Sequence, residues 1–232
     1  MTIAIMQPYL FPYIGYYQLI QAADKFIVYD DVNFINKGWI NRNNILVGGK
    51  PHLFTIPLKD ASQNKLIREV ELATDPGWKK KLLKTLVQSY QKAPYFQNVF
   101  DMIEEIVNLD VLTISEMAVQ GLKKTCAYMQ IGTEITPSTT IYGNSHLKGQ
   151  ERILDICRQE QATHYINPAG GTELYDKERF AEESIQLSFL KSTESPYPQL
   201  KNAFVPWLSV IDVLMFNAPE QIGEHLKAYQ LF

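Results

Sequence analysis

The strongest constraint on this sequence is the exchange of two hydrophobic periods along its length. Short unbroken apolar runs, such as Ile3-Ala4-Ile5-Met6, alternate with segments whose apolar residues recur every three or four positions. The first pattern belongs to strands covered on both faces, the second to amphipathic helices. Strands that take turns with helices assemble into a parallel sheet of βαβ units. Strands are expected at 3–6, 25–29, 52–58, 134–141, 164–167 and 185–190, with a short one at 67–72. Helices are expected at 13–23, 95–108, 111–131, 148–161, 177–183, 206–216 and 219–229. A further helix opens at Asp75-Pro76-Gly77-Trp78, with Asp75 as N-cap and Pro76 at the first helical position, and runs to about residue 92. The expected fold is a Rossmann-like, three-layer α/β domain over 1–232, with the helices of 75–131 as an insertion or subdomain within it.

Composition removes several function classes. At 46% apolar and 20% charged residues the chain is too hydrophobic for disorder. No apolar run approaches the roughly 20 residues of a membrane span. The 22 Lys and Arg against 25 Asp and Glu leave no basic footprint for nucleic acid, and Lys79, Lys80, Lys81 and Lys84 read as one solvated helix face. Cys126 and Cys157 have no metal-ligand spacing and read as reduced thiols, and the first residues lack the basic region of a signal peptide. The expected compartment is the cytoplasm.

In an open parallel sheet, ligands bind beyond the carboxyl ends of the strands. Gln7, Pro8 and Tyr9 follow the first strand, Asp30 and Asp31 the second, and Asn167 with the Gly170-Gly171 turn the strand at 164–167. In Tyr13-Ile14-Gly15-Tyr16 a glycine on the first helical turn admits a close neighbour, beside amides suited to an anion. This unit resembles the start of nucleotidylyltransferase-type folds, with tyrosines where that motif has two histidines. Asp30 and Asp31 have the chemistry of a general base or of Mg²⁺ ligands; the alternative is capping and pairing with Arg42. No motif names a cofactor, and Mg²⁺ is the one this pair would take. Lys37 and Arg42 suit phosphate or carboxylate, Trp39 suits stacking, and Asn41 lies between them. Asp212 lies in an apolar helix, where burial demands a partner: a cation such as Arg42 or Lys37, or a backbone group. The four histidines form no triad or ligand spacing in the sequence.

The strings Ile3-Ala4-Ile5-Met6-Gln7-Pro8-Tyr9, Phe11-Pro12-Tyr13-Ile14-Gly15-Tyr16, Asp30-Asp31-Val32, Gly38-Trp39-Ile40-Asn41-Arg42-Asn43, Asn167-Pro168-Ala169-Gly170-Gly171 and Phe204-Val205-Pro206-Trp207-Leu208-Ser209-Val210-Ile211-Asp212 together resemble the WbqC-like family, from residue 3 to about 217. The resemblance implies a place in bacterial surface-polysaccharide (O-antigen) biosynthesis, with acyl or aminoacyl transfer to a nucleotide-linked amino sugar. The expected partner is therefore a small anionic ligand, a nucleotide or nucleotide sugar, with phosphates on the helix that starts at Tyr13. Asn167 and Gly170 would hydrogen-bond the sugar or acyl donor. Asp31→Asn is then expected to abolish turnover and spare the fold. The alternatives are nucleotide binding without catalysis, or chemistry on a small amine or amino acid.

Overall fold

The computed structural model describes residues 1–232. In chain order, β1 (Thr2–Met6) leads through α1 (Ile14–Gln21) to β2 (Lys25–Val28). A hairpin of β3 (Arg42–Val47) and β4 (Lys50–Thr55) follows, then the small pair β5 (Leu58–Lys59) and β6 (Glu71–Leu72). Helices α2 (Gly77–Tyr90), α3 (Phe96–Val107) and α4 (Ile114–Tyr128) precede β7 (Glu134–Thr136). The remainder is α5 (Gly149–Gln159), β8 (His164–Pro168), α6 (Lys177–Glu182), β9 (Gln186–Ser192), α7 (Val210–Phe216), α8 (Pro219–Lys227) and β10 (Tyr229–Leu231).

The main sheet runs β10-β9-β8-β1-β2-β7, parallel throughout except for β10. Counting only its parallel strands in chain order, the arrangement is 3-2-1-4-5, the Rossmann order. Its order reverses between β1 and β8, and there the carboxyl ends of two adjacent strands diverge into a crevice. Period-two alternation divides the strand residues between two cores. Ala4, Phe26, Val28 and Ile166 face a 44-residue cluster shared with α1, α3, α4 and α7. Ile3, Ile5, Ile27, Tyr165 and Leu187 face a 14-residue cluster with Ile153 and Ile156 of α5 and Phe180 of α6. Each fully buried side chain of this kind contributes about 1.5–3 kcal/mol. Leu86, Val99, Ile103 and Leu122 of α2–α4 belong to the larger cluster, so these helices share the sheet's core.

Several elements differ from expectation. Residues 32–51, which lie between the strands expected at 25–29 and 52–58, contain β3 and the start of β4, and the strand expected at 52–58 is β4, in a separate hairpin. Gly48 and Gly49, at φ 58° and 78°, make the turn. Residues 67–72 divide into a single 3₁₀ turn (Ile67–Glu69) and β6, and 134–141 into β7 and a 3₁₀ turn (Thr139–Tyr142). Asp75 accepts from the Gly77 amide but sits one residue outside the N-cap, Pro76. The helix expected at 206–216 starts at Val210: Trp207 adopts φ 60°, and Ser209 is the N-cap. No helix is long and apolar enough to cross a membrane.

Candidate functional site

Three segments remote in sequence are stitched together at the β1–α1 turn. Phe11 holds a left-handed backbone, φ 48°, a conformation that costs a bulky residue on the order of 1–3 kcal/mol. Its carbonyl accepts hydrogen bonds from Asn43 Nδ2 (2.9 Å) and Ser209 Oγ (2.7 Å), which hold that turn in place. The Leu10 amide donates to Ile40 (3.0 Å), Val210 to Pro12 (2.8 Å) and Ser209 to Asn44 (2.8 Å). The loop before β3, the β1–α1 turn and the segment before α7 thus form one rigid rim.

Beneath that rim lies a cleft of about 430 Å³, beyond the carboxyl ends of β8 and β9 and beside the start of α1. Tyr9, Tyr13, Trp39 and Trp207 supply aromatic walls, Gly170 a stretch of bare backbone, and Lys191 the cation of the lining. Trp39 and Trp207 are about half exposed, at 48% and 50%, which is unusual for side chains of this size and leaves both ring systems open to a ligand. Tyr13 meets Trp207 edge-on at 6.3 Å. The Arg42 guanidinium lies 5.7 Å from the Trp39 ring centre, and its Nε donates to the Gly38 carbonyl. Burial raises the pKa of Tyr9 and Tyr13, so both remain protonated phenols at neutral pH.

Of the residues singled out from sequence, Tyr9, Tyr13, Trp39 and Gly170 line this cleft. Gln7 lies at the base of the turn, where its carbonyl accepts from the Tyr16 hydroxyl (2.6 Å), and Tyr16 itself is buried in the core. Gly15 has a local reason: a Cβ there would overlap the Tyr13 ring, so the glycine makes room for an aromatic of the chain itself. Gly171 does the same for the buried amide of Asn167. Lys37 is exposed on a turn at φ 60°, and Asn41 donates to the Ile56 carbonyl. Lys191 and Trp207 were not among the expected ligand residues. The available signal for Lys191 was its position at the end of an apolar strand.

Asp30 and Asp31 lie on the same edge of the sheet but outside the cleft. Asp31 forms an ion pair with Arg152 (2.6 Å), both almost completely buried, and also accepts from Thr139. Arg152 also donates to Asn144 (3.0 Å) and lies over the Tyr29 ring. The partner of Asp31 is therefore Arg152 and not Arg42. Asp30 accepts from Ser138 (2.6 Å) and Ser115 (3.2 Å); burial raises its pKa, and these hydroxyls oppose the shift. With Asp31 committed to a guanidinium, and no group of three or more His, Cys, Asp or Glu converging here, the pair does not fit a Mg²⁺ site. Asp212 is fully buried, as the apolar helix required, but its partners are neutral donors and not Arg42 or Lys37. Tyr90 (2.8 Å), Tyr197 (2.7 Å) and Gln199 (2.6 Å) all donate to it, and they lower a pKa that burial raises.

A mostly parallel six-stranded sheet in Rossmann order, flanked by helices, defines the class: a Rossmann-like α/β protein. The chain belongs to the WbqC-like protein family, whose model matches residues 7–224 and so includes every segment of the rim. It is 28% identical over 229 residues, 97% of each chain, to the uncharacterized protein Rv1507c of Mycobacterium tuberculosis. No solved structure matches.

Proposed function

We propose that this protein holds a nucleotide-activated sugar in the aromatic cleft and transfers an acyl or aminoacyl group to it during assembly of a bacterial surface polysaccharide such as O-antigen. The observation that carries the reading is the lining: four aromatic side chains and one lysine at the carboxyl edge of a Rossmann-order sheet. Aromatic faces stack on a base or on the apolar face of a sugar ring, and a lysine meets phosphate as a point charge. Tyr13 caps α1 without a side-chain hydrogen bond, which leaves first-turn amides for the same phosphates. A second reading, binding without catalysis, draws on the engagement of Asp30 and Asp31 outside the cleft.

The test is a thermal-shift and calorimetry panel of UDP- and dTDP-sugars, free nucleotides and free sugars. A ligand at 100 times its Kd adds about 2.7 kcal/mol of stability. Trp207→Ala and Trp39→Ala should each weaken binding by about 1–3 kcal/mol, the usual value of a base–aromatic stack. Mass spectrometry of the sugar after incubation with activated acyl donors separates the readings, since only the first yields an acylated product. Equal indifference to every nucleotide sugar would sink both.

A further inference from the structure

Just past the end of β9, outside the aromatic cleft, three polar side chains form a chain of hydrogen bonds. Ser195 Oγ lies 2.7 Å from His225 Nδ1, and His225 Nε2 lies 3.0 Å from Asn217 Oδ1. The donors can be assigned from the network. Asn217 Nδ2 donates to the Val213 carbonyl (2.7 Å), so its Oδ1 faces the imidazole and can only accept. Nε2 of His225 therefore carries the proton, and Nδ1 presents its lone pair to the serine hydroxyl. Hydroxyl, imidazole and a buried oxygen that fixes the tautomer are the three parts of an activated nucleophile, recognised by roles and geometry and not by order in the chain.

The surroundings hold this geometry. Asn217 is buried at the end of α7 and His225 in the last turn of α8. Tyr197 packs its ring edge-on against the imidazole at 5.4 Å. Gln18 donates to the carbonyls of His225 and Ala228, tying the end of α8 to α1. His225 lies in the last turn of α8, where the helix C-terminus offsets part of the cost that burial puts on its imidazolium. Ser195 and His225 border a small cavity of about 30 Å³, room for one or two waters or the carbonyl end of a short acyl chain. Trp207 borders both this cavity and the aromatic cleft.

We propose that Ser195 is an acyl-accepting nucleophile, with His225 as its general base and Asn217 as a positioning residue, and that its donor is an activated ester or thioester of a short acyl group. Ser195 Oγ attacks the acyl carbon while His225 Nδ1 takes the hydroxyl proton. The tetrahedral intermediate collapses, the bond to the leaving alkoxide or thiolate breaks, and His225 returns the proton to that group. In the second step an amine attacks the ester carbon of the acyl-enzyme and His225 accepts its proton. A C–N bond forms, the Oγ–C bond breaks, and the proton goes back to Ser195. The identity of that amine, an amino sugar in the neighbouring cleft, rests on the proposed function; the nucleophile does not.

The experiment uses the full chain with p-nitrophenyl acetate, following p-nitrophenolate release and locating the acetyl group by intact-mass and peptide mass spectrometry. The expected result is a burst of one equivalent with the acetyl on Ser195. Ser195→Ala should abolish the burst, and Ser195→Cys, which keeps a nucleophile, should retain it. His225→Gln should slow acylation by about 10²–10⁴-fold, the usual contribution of a positioned base. Asn217→Asp, which still accepts from Nε2 and places a negative charge beside the imidazole, should move the acid limb of the acylation pH profile to higher pH, an outcome that a merely packing role for this residue would not produce. Circular dichroism establishes that each variant is folded, and Ser195→Cys keeps the test decisive if His225→Gln is not. Absence of a burst, an unchanged burst in Ser195→Ala, or acetyl groups only on other residues overturns the proposal. Nucleotide-sugar affinity measured on Ser195→Ala is independent of acylation, so failure of the cleft and failure of the nucleophile give different results.

Discussion

Replacing Asp31 by asparagine distinguishes a structural carboxylate from a catalytic one. The Asp31 and Arg152 side chains are 5% and 3% exposed, and their charges meet at 2.6 Å. Asparagine keeps the shape and one acceptor oxygen but removes the countercharge, leaving a guanidinium buried with Asn144 and the Tyr29 ring. Removing one partner of a buried pair costs about 3–5 kcal/mol, and the contacts that Arg152 keeps put this variant near the lower end. For a chain of this size each kcal/mol moves Tm by about 2–4 °C, so about 3 kcal/mol lowers it by roughly 6–12 °C. The double variant Asp31→Leu/Arg152→Met, with neither charge, should recover most of that loss, because two desolvation costs vanish with the attraction. Urea denaturation of wild type, Asp31→Leu, Arg152→Met and this double variant closes a cycle and gives the coupling energy directly. Wild-type stability in Asp31→Asn, accompanied by loss of turnover, would refute the structural assignment and restore the carboxylate to catalysis.

Gly15→Ala should leave stability within about 1 kcal/mol, because better helix propensity offsets displacement of the Tyr13 ring, yet it should abolish ligand-induced stabilisation at the cleft; calorimetry and melting read the two effects separately. Ser209→Ala removes both the cap of α7 and the bond to the Phe11 carbonyl, so it should cost about 1–2 kcal/mol in urea denaturation, against no change if the rim is held without it. His164 and His225 have pKa values lowered, in both cases first by burial, so the unfolded chain takes up protons that the folded one refuses. Their contribution is complete above the unfolded value of about 6.5 and is lost as pH falls from there through their folded values. The urea midpoint should accordingly drop as pH falls below about 6.5, and His225→Gln should flatten part of that dependence; a midpoint that rises on acidification contradicts it.

The central parallel strands were legible because they are covered on both faces, so Ile3-Ala4-Ile5-Met6 or Lys25-Phe26-Ile27-Val28 reads as a nearly continuous apolar run. β3 and its pairing with β4 were not, since Arg42, Asn43 and Asn44 open that strand, while β4 was read only from His52 because Lys50 and Pro51, both exposed, open it. The turn between them did leave a signal in Gly48-Gly49, whose two positive φ angles suit a two-residue hairpin loop. The start of α7 was displaced because the apolar stretch from Phe204 continues through Trp207, whose left-handed backbone no local pattern announces. Burial of Asp212 followed from its neighbours, whereas its partners did not, because two phenols and an amide can satisfy a carboxylate without any cation. Ser195, Asn217 and His225 stand on three different segments and meet only through the docking of α8, which no spacing rule encodes.

The last strand has a consequence for life at high protein concentration. β9, at seven residues the longest of the sheet, would otherwise present a row of unpaired amides and carbonyls to any passing chain. Tyr229, Gln230 and Leu231 occupy part of that row in antiparallel register, and Phe232 and Phe189 exchange two further backbone bonds. At the opposite border β7 has only three residues, one of them Glu134. Neither margin offers a long template, and the sheet is thereby guarded against the edge-to-edge stacking from which fibrils and insoluble deposits grow.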